Sequence, residues 1–571
     1  MRLIKIRLIF AVFFINIFFC VPINAEILQP QDEFDKDLSY IKVDTVLTQK
    51  LPIENWLDTG FFHSQKFSPT DTIIFTSEDI LRSTALSLGA FLEENSFFYL
   101  FDYGAIGQKE ILYYQNEPVE IILDGISWKN TDFSTENLKL LSLNQIKKII
   151  ILKNTCTKNS STIYIWTKNQ LTSPIPYTTI TGSDGTQNTQ EYSMVFASPI
   201  RKNLTTVLTA FYKSNDGESK LNDYSAKIYS LHLHYQLSKN LSIHFADRLA
   251  EQISGHEPQF FPPKRKLEYE GAIRYSLSDK FKSQLTLYNV RSRQYQKDLI
   301  YGAQFESQFY PSDNNLINLK IIGEQYKQAN IKSQLFEAML SDELKNGKLL
   351  IKSAVNANYH YDYKSVYINP FVQLGYDITS NLNFGASIGK KIYFPKLNSG
   401  MEELEPRKSW QVRIGAFYKP IFVDYTYKTN SDTCEIHQLT TSSKLRYKDF
   451  SMNINYALTF AKNPKTNFRL PYQPRHSITA NLDWDKRFFH DNLKLHGRLS
   501  AKYNSWVATD YWEYDFIDEF LLFDGKVEMK IYDLSVSYNV NNITWQHYSR
   551  VQGYPLWRKI YLIKLRWEFW N

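Results

Sequence analysis

The chain has 571 residues, a net charge of +7 and an aromatic content of 15%, with 39 Tyr, 38 Phe and 11 Trp. This charge is too modest to indicate a nucleic-acid partner. Beyond the N-terminal region no stretch reaches the roughly 18 uninterrupted apolar residues of a membrane helix, so the aromatic content favours a β architecture.

The N-terminus predicts a cleaved signal peptide over residues 1–25. Three basic residues lie among the first seven. The apolar core over 8–21 is about 14 residues long, which is too short to span a bilayer comfortably. Cleavage is expected after Ala25, and an N-terminal membrane anchor is the alternative. Only Cys156 and Cys434 then remain, in different predicted domains, so no disulfide framework is expected.

Residues 26–69 contain few strong structure signals and precede the first predicted domain. Within this segment, Val43, Thr45, Val46 and Thr48 favour an extended strand. Two interpretations stay open at this point, namely an ordinary β-prone linker and a peptide that pairs with a partner's sheet.

A small α+β domain is predicted over residues 70–170. Ser77 is expected to cap a helix whose apolar face starts at Ile80. A later strand ends in a tight turn at Asp124-Gly125. The predicted strands of this domain lie within 72–75, 119–126, 141–153 (after a helical turn) and 161–168.

From residue 171 to residue 571 an alternation of period two dominates. In 229–237 the odd positions are Tyr or Leu and the even positions are Ser, His or Gln. Successive side chains of a strand point to opposite faces. One apolar and one polar face suit a transmembrane barrel with lipid outside and a polar lumen inside. An array of soluble β-sandwiches is the alternative.

Turn spacing predicts the size of this barrel. Ten short turns on one side and eleven longer connections on the other give about 22 strands, and closure leaves no sheet edge exposed. A barrel this wide cannot fill its lumen with its own side chains, so the 70–170 domain is expected to plug it. The fold class is therefore mainly β, a transmembrane antiparallel barrel with an α+β plug domain. The short turns are predicted near 200, 239, 279, 313, 346, 380, 419, 448, 489 and 541.

These features resemble the TonB-dependent receptors of Gram-negative outer membranes. The resemblance covers nearly all of the chain after the signal peptide. It is carried by the Asp-Gly strand end at 124–125, the 141–153 segment, the Thr-Lys end at 167–168, LPYQPRHS at 470–477 and the final strand at 553–570. It implies that the barrel-assembly machinery reads the final strand, and that outer-membrane lipid surrounds the barrel.

The resemblance also gives a role to the extended N-terminal segment. It implies a TonB box at Asp44, Thr45, Val46, Leu47 and Thr48. Such a peptide adds a strand to the sheet of the energy-transducing partner TonB through main-chain hydrogen bonds.

A first candidate site consists of His232, His234 and His244. His232 and His234 share the lumen face of one predicted strand, and a turn centred on Lys239 places His244 opposite His234. Three neighbouring imidazoles suit a transition metal. The alternative is a polar lumen lining that contacts the plug.

The connection at 505–525 is a second candidate site. Aromatic side chains supply flat contact area and carboxylates supply orientation, a common mixture at ligand sites. The alternative is an aromatic girdle with a solvated acidic rim. The residues proposed to contact a ligand are Trp506, Tyr511, Trp512, Tyr514 and Asp515.

Two functions compete. The resemblance implies uptake of a scarce nutrient such as a metal chelate, a siderophore or cobalamin, driven through TonB. The alternative is a plugged barrel with a structural or adhesive role. The low count of 21 Gly and the absence of the family's Arg-Gly pair from 111–118 favour this alternative. A hydrolase is disfavoured because no HExxH, Walker or GxSxG motif is present. We expect neither catalysis nor a cofactor.

Overall fold

The computed structural model describes residues 72–103, 110–115, 117–128, 137–153, 161–170, 175–216, 224–254, 264–278, 280–293, 297–328, 331–360, 364–379, 381–393, 407–430, 434–490, 492–556 and 559–570. The predicted signal peptide over 1–25, the segment 26–69 with its TonB box at 44–48, and Cys156 lie outside the described residues. In the described ranges, no helix combines the length and the apolar character that crossing a membrane requires.

The first domain is a small α+β unit. Five of its strands form one sheet in the order β1-β7-β8-β5-β6, and β2, β3 and β4 form a second sheet. Its strands are β1 (Thr72–Thr76), β2 (Tyr99–Asp102), β3 (Glu110–Tyr114), β4 (Glu117–Pro118), β5 (Glu120–Leu123), β6 (Ile126–Ser127), β7 (Ile146–Lys153) and β8 (Ser161–Thr167), and its helices are α1 (Ser77–Arg82) and α2 (Leu88–Asn95).

The cap of α1 differs from the sequence expectation. Thr76, not Ser77, is the N-cap, and its hydroxyl accepts a hydrogen bond from the amide of Asp79. The Asp79 carboxylate accepts one in return from the Thr76 amide at 2.8 Å. This reciprocal pair is a capping box, which satisfies two otherwise unpaired amides. The expectation was wrong because serine is the stronger cap in general, but Asp79 lies three residues after Thr76 and its reciprocal hydrogen bonds select Thr76.

The predicted tight turn between β5 and β6 is present. Asp124 has φ +52° and Gly125 has φ +103°. Two successive positive φ values define the hairpin turn that follows the right-handed twist of its strands, and aspartate followed by glycine favours it. The turn directs the Asp124 carboxylate toward the Thr167 amide at 2.8 Å and the Thr167 hydroxyl at 2.7 Å. It therefore fastens the β5 end to β8.

The second domain is a closed barrel of 22 antiparallel strands. It closes where the last strand pairs with the first, with Leu562 opposite Gly185. Its strands, together with four short strands outside the wall (β28, β29, β32 and β33), are β9 (Tyr177–Gly185), β10 (Thr189–Arg201), β11 (Leu204–Asn215), β12 (Tyr224–Ser238), β13 (Leu241–Ser254), β14 (Lys264–Ser278), β15 (Phe281–Arg293), β16 (Lys297–Ser312), β17 (Asn315–Gln328), β18 (Ile331–Asn346), β19 (Leu349–His360), β20 (Ser365–Asp377), β21 (Leu382–Tyr393), β22 (Arg407–Tyr418), β23 (Ile421–Asn430), β24 (Cys434–Tyr447), β25 (Phe450–Lys462), β26 (His476–Phe488), β27 (Leu493–Asn504), β28 (Val507–Ala508), β29 (Phe516–Ile517), β30 (Phe520–Ile531), β31 (Leu534–Asn541), β32 (Tyr548–Val551), β33 (Tyr554–Leu556) and β34 (Ile560–Trp570).

The alternation along the strands matches the two faces of this wall. On β12, Tyr229 is 51% exposed, whereas the neighbouring Ser230 and His232 are buried against the interior. The outward face is therefore apolar and the lumen face is polar. Because the sheet is closed into a barrel, its apolar outward face is suited to a surrounding of lipid.

The plug and the barrel wall share one apolar core. Leu88 and Phe91 of α2 and Ile163 of β8 are buried in the same cluster as Phe211 of β11 and Ala226 of β12. Burying apolar surface contributes about 25 cal/mol per Å². The 72–170 domain therefore packs inside the lumen, as expected for a barrel of this width.

Nine of the ten predicted short turns join consecutive strands, but the turn near 541 is wrong. The strands on either side of it are β30 and β31, which are joined at Tyr532-Asp533. Tyr532 has φ +50°, a conformation that the sequence did not signal because tyrosine is not a turn residue. The polar Asn541-Asn542 pair instead begins the long connection at the other end of the barrel.

Candidate functional site at the loop end of the barrel

The barrel has two unlike ends. The end with the short turns is called the turn end here, and the opposite end with the longer connections is called the loop end. At the loop end the structure describes three neighbouring connections, at 463–475, 505–519 and, except for 557–558, 542–559. The second of these was expected to span 505–525, but β30 starts at Phe520, with Phe520 opposite Asn504 in the wall.

The 505–519 connection folds onto its neighbour. The Arg469 amide donates to the Glu513 carboxylate at 2.7 Å, and the Arg469 guanidinium lies 4.2 Å from the centre of the Trp506 ring. The Tyr472 amide donates to the Ala508 carbonyl at 2.8 Å. These contacts tie the two connections together, so the predicted ligand-contacting loop is a defined surface rather than a separate arm.

The five side chains predicted to contact a ligand all lie on this connection and are exposed. They are not brought into one pocket, because Trp512 packs on Phe468 at 6.0 Å between ring centres while Tyr514 is 82% exposed. The site residues concerned are Trp506, Tyr511, Trp512, Tyr514 and Asp515.

Asp510 organises the tip of the connection. Its carboxylate accepts hydrogen bonds from the amides of Trp512 at 2.6 Å and Asp515 at 2.9 Å. Desolvation acts to raise the pKa of Asp510, but these hydrogen bonds and those from the Tyr514 and Glu513 amides together outweigh it and hold that pKa below its ordinary value. The negative charge is therefore present across the physiological pH range.

An aromatic surface of the plug faces the same end, and sequence reasoning missed it. We call Tyr99, Phe101, Tyr103, Tyr113, Tyr472 and Tyr554 the aromatic floor. The Phe101 ring lies 4.5 Å from Tyr113 and 4.7 Å from Tyr472, and Tyr103 lies 5.2 Å from Tyr554. The plug strand β2 and two barrel connections thus contribute to one surface. The alternation of Tyr99, Phe101 and Tyr103 is the sequence signal that could have revealed this surface.

A hydrogen bond and an ion pair hold the aromatic floor in place. The Tyr99 hydroxyl donates to the Arg550 carbonyl at 2.9 Å, and burial raises the pKa of Tyr99, so it remains a neutral donor. Beside it, Lys139 lies 3.0 Å from Asp102 and 3.8 Å from Glu110. Burial works to lower the pKa of Lys139, but these two carboxylates outweigh it and hold that pKa above its ordinary value.

A cavity of about 190 Å³ lies between α2 and the barrel wall. Glu93 in its lining forms ion pairs with Lys502 and Arg550 of the barrel domain. The neighbouring Glu94 pairs with Arg498 at 3.4 Å. Charged side chains in this cavity are thus already engaged in holding the plug.

The three predicted histidines do come together. The Nδ1 atoms of His234 and His244 lie 3.2 Å apart, and the His232 ring centre lies 5.6 Å from that of His244. All three are buried, and His234 also contacts the backbone of Asn169 at the end of the plug. Among the described residues no group of three His, Cys, Asp or Glu side chains is arranged to hold a metal ion. The contact with Asn169 favours the alternative of a lumen lining that touches the plug.

No protein-family model and no curated protein matches this chain. Solved structures match it over nearly its whole length. A variant of the ferric enterobactin receptor of Pseudomonas aeruginosa superimposes with a TM-score of 0.75 at 12% identity, covering 89% of this chain and 99% of that chain. The siderophore receptor PirA of Acinetobacter baumannii superimposes with a TM-score of 0.73 at 11% identity, covering 87% of this chain and 98% of that chain. The iron transporter FrpB of Neisseria meningitidis superimposes with a TM-score of 0.72 at 12% identity, covering 88% of this chain and 100% of that chain. These identities establish a likeness of fold.

Proposed function

Because the chain has the fold of the TonB-dependent receptors, a plugged and closed 22-stranded barrel, we propose that it imports a scarce nutrient across the outer membrane of a Gram-negative bacterium. The apolar outward face supports the location, since outer-membrane lipid is the surrounding that such a face needs. The cargo belongs to the class of metal chelates, siderophores and cobalamin. The chain is a transporter and not an enzyme.

The observation that carries this proposal is the aromatic floor above a filled lumen. A passive pore would leave its lumen open, whereas here Leu88, Phe91 and Phe211 belong to one apolar core that joins plug and wall. A ligand that enters from the loop end would therefore meet the aromatic floor, including Phe101 and Tyr472, before it reaches the filled lumen. Apolar and aromatic surfaces with a few oriented polar groups are the usual lining of small-molecule sites.

We extend the ligand contact to the 505–519 connection. The Arg469 guanidinium lies over the Trp506 ring, and Tyr511, Trp512, Tyr514 and Asp515 are exposed on the same connection. Exposed aromatic side chains on a defined loop supply contact area at low conformational cost. The loop and the aromatic floor then form the two sides of one binding surface.

The energy for transport enters through the segment at 44–48. Replacing Val46 with proline removes a main-chain donor and interrupts the strand that would be added to TonB. Val46→Pro should abolish energised uptake while binding to purified protein stays unchanged. Val46→Ala keeps the amide and is the matched control.

The uptake experiment uses three probes, a ferric catecholate, a ferric hydroxamate and cobalamin. Binding to the purified full chain is followed by tryptophan fluorescence, and the best binder is radiolabelled for uptake by whole cells. Uptake that is equal in Val46→Pro and Val46→Ala would rule out TonB-driven import. Partners in this proposal are TonB, the barrel-assembly machinery and the nutrient ligand.

A plugged barrel with a structural or adhesive role is the second candidate. It is favoured by the buried ion pairs of Glu93 with Lys502 and Arg550, which resist displacement of the plug. For His232, His234 and His244 we also propose binding of a transition metal. Titration of the purified protein with Ni²⁺, compared with the His244→Ala variant, tests it.

A further inference from the structure

A large cavity opens at the turn end, between the plug and the barrel wall. It measures about 1040 Å³ and is lined by the ends of β24, β26, β27 and β30 and by plug residues such as Lys147 and Lys168. We call it the turn-end vestibule. Its volume is comparable to that of pockets that hold small-molecule ligands, which are about 300–1,000 Å³.

The vestibule is strongly basic. Eleven lysine and arginine side chains line it against five aspartate and glutamate side chains, an excess of six positive charges. The whole chain has an excess of only seven. A concave wall with charge of one sign focuses the field inside it and concentrates ions of the opposite sign.

The carboxylates of the vestibule do not neutralise this excess. Each of the five already has a cation partner, for example Asp449 with Lys486 at 2.8 Å and Glu528 with Lys526 at 2.9 Å. Glu78 and Asp485 both pair with Arg82, and Glu568 pairs with Arg566. Among the described residues, Lys444, Arg446 and Lys494 form no ion pair.

The strand register adds a second and independent observation. Lys494 of β27 lies directly opposite Arg487 of β26 on one side and Lys530 of β30 on the other. All three line the vestibule. Like charges directly opposite each other on neighbouring strands are destabilising, by about 0.2–1 kcal/mol per pair. We call these three residues the cation row, and a bound anion would relieve its repulsion.

We propose that the turn-end vestibule is an anion-binding exit chamber and that the imported cargo leaves the barrel as an anion. This identification of the cargo class rests on the proposed function. Carboxylate, phosphate and deprotonated catecholate groups all have the required chemistry. A cationic cargo would be repelled here by the same excess of charge. The other occupant with complementary charge is an acidic protein of the periplasm.

The test measures anion binding by the purified full chain in detergent. Pyrophosphate and citrate are the probes, and isothermal titration calorimetry is the readout. We expect one site for each anion, with affinity that falls as salt rises because ions screen the attraction. The variant Arg487→Gln, Lys494→Gln, Lys530→Gln should bind at least tenfold more weakly. It should also fold, since it removes repulsion from the wall.

The matched control removes the same number of charges from the same end of the barrel. Lys202, Lys239 and Lys280 lie in short turns, are exposed and do not line the vestibule. The triple glutamine variant at these positions should bind both probes like the unmodified protein. Equal loss in both variants would show only a diffuse charge effect and would overturn the proposal, as would absence of binding in the unmodified protein.

Two further outcomes separate this inference from the proposed function. The titration needs neither TonB nor an energised membrane, so intact anion binding in a protein that fails to import would keep the anion site in the vestibule but would refute import, and with it the role of that site as an exit for cargo. An acidic protein captured by the full chain and released by the cation-row variant, with neither pyrophosphate nor citrate bound, would replace the anionic cargo with a protein partner and refute the exit chamber.

Discussion

Asp124 of the plug lies 3.4 Å from the guanidinium of Arg248 in the barrel wall, a partly buried ion pair between two residues that are 124 positions apart. Arg248 also contacts Glu268 of the next strand at 3.0 Å. Burial raises the pKa of Asp124, while Arg248 and the hydrogen bonds from Thr167 act against this rise. The pair therefore joins the tight turn of the plug to the wall of the lumen.

The first prediction concerns this pair. Asp124→Asn keeps an acceptor for Thr167 but removes the charge opposite Arg248. Removing one partner of a buried ion pair destabilises a protein by about 3–5 kcal/mol. We expect the plug to lose only about 1–3 kcal/mol of stability, because Glu268 still faces Arg248. Hydrogen exchange measured by mass spectrometry should show faster exchange in β5 and β8 and unchanged exchange in the barrel. Asp313→Asn, an exposed change in a short turn, is the control and should exchange like the unmodified protein.

The second prediction concerns the 505–519 connection. Replacing 509–515 with a Gly-Ser linker of equal length leaves β27 and β30 intact, because their pairing starts at Asn504 and Phe520. We expect normal heat-modifiable migration on gels and at least tenfold weaker binding of the best probe, which corresponds to about 1.4 kcal/mol. Normal migration combined with unchanged affinity would reduce the connection to a surface without a binding role.

The third prediction concerns the aromatic floor. Phe101→Leu keeps apolar volume but loses ring contacts with Tyr113 and Tyr472, each pair being worth about 0.5–1.5 kcal/mol beyond burial. Affinity for the best probe should fall about tenfold, measured by fluorescence titration. Phe245→Leu, on the exposed outward face, is the matched control. Equal affinities in the two variants would remove the floor from the binding site.

The fourth prediction concerns Lys153, a buried plug lysine whose ammonium lies 4.5 Å from the Phe97 ring centre. Burial lowers the pKa of Lys153 to about 8, and Asp424 only partly opposes this. Since the folded pKa lies below the unfolded value near 10.5, the buried charge destabilises the plug below about pH 8, and this cost disappears as the pH rises toward 10.5.

Lys153→Met removes that buried charge. It should stabilise the plug by about 1–2 kcal/mol at pH 7, since the ring contacts of the ammonium are lost at the same time. The difference in the free energy of unfolding between the variant and the unmodified protein should be smaller at about pH 9.5 than at pH 7. Pulse proteolysis of the plug in urea at the two pH values measures it. A difference in the free energy of unfolding that stays constant between the two pH values would mean that the folded plug does not lower the pKa of Lys153, and it would contradict the prediction.

The sequence by itself determined the barrel. The alternation of Tyr229, Ser230 and His232 is a property of neighbouring residues, and a strand converts it directly into two faces. Most turns could also be predicted from neighbouring residues, because polar pairs such as Lys239-Asn240 mark them. The turn at Tyr532-Asp533 was missed because Tyr532, the residue with the positive φ, is not a turn residue, and only the pairing of β30 with β31 reveals it.

Only the tertiary structure decided which distant residues meet. Tyr99 and Tyr472 are neighbours in the aromatic floor because the plug lies inside the barrel, and no local pattern encodes that placement. The cation row of Arg487, Lys494 and Lys530 likewise depends on the register of three strands, which a shift of one residue would turn toward lipid. Periodicity is a property of neighbouring residues and can therefore be recognised in the sequence. Strand register and the docking of the plug depend instead on the packing of the whole molecule.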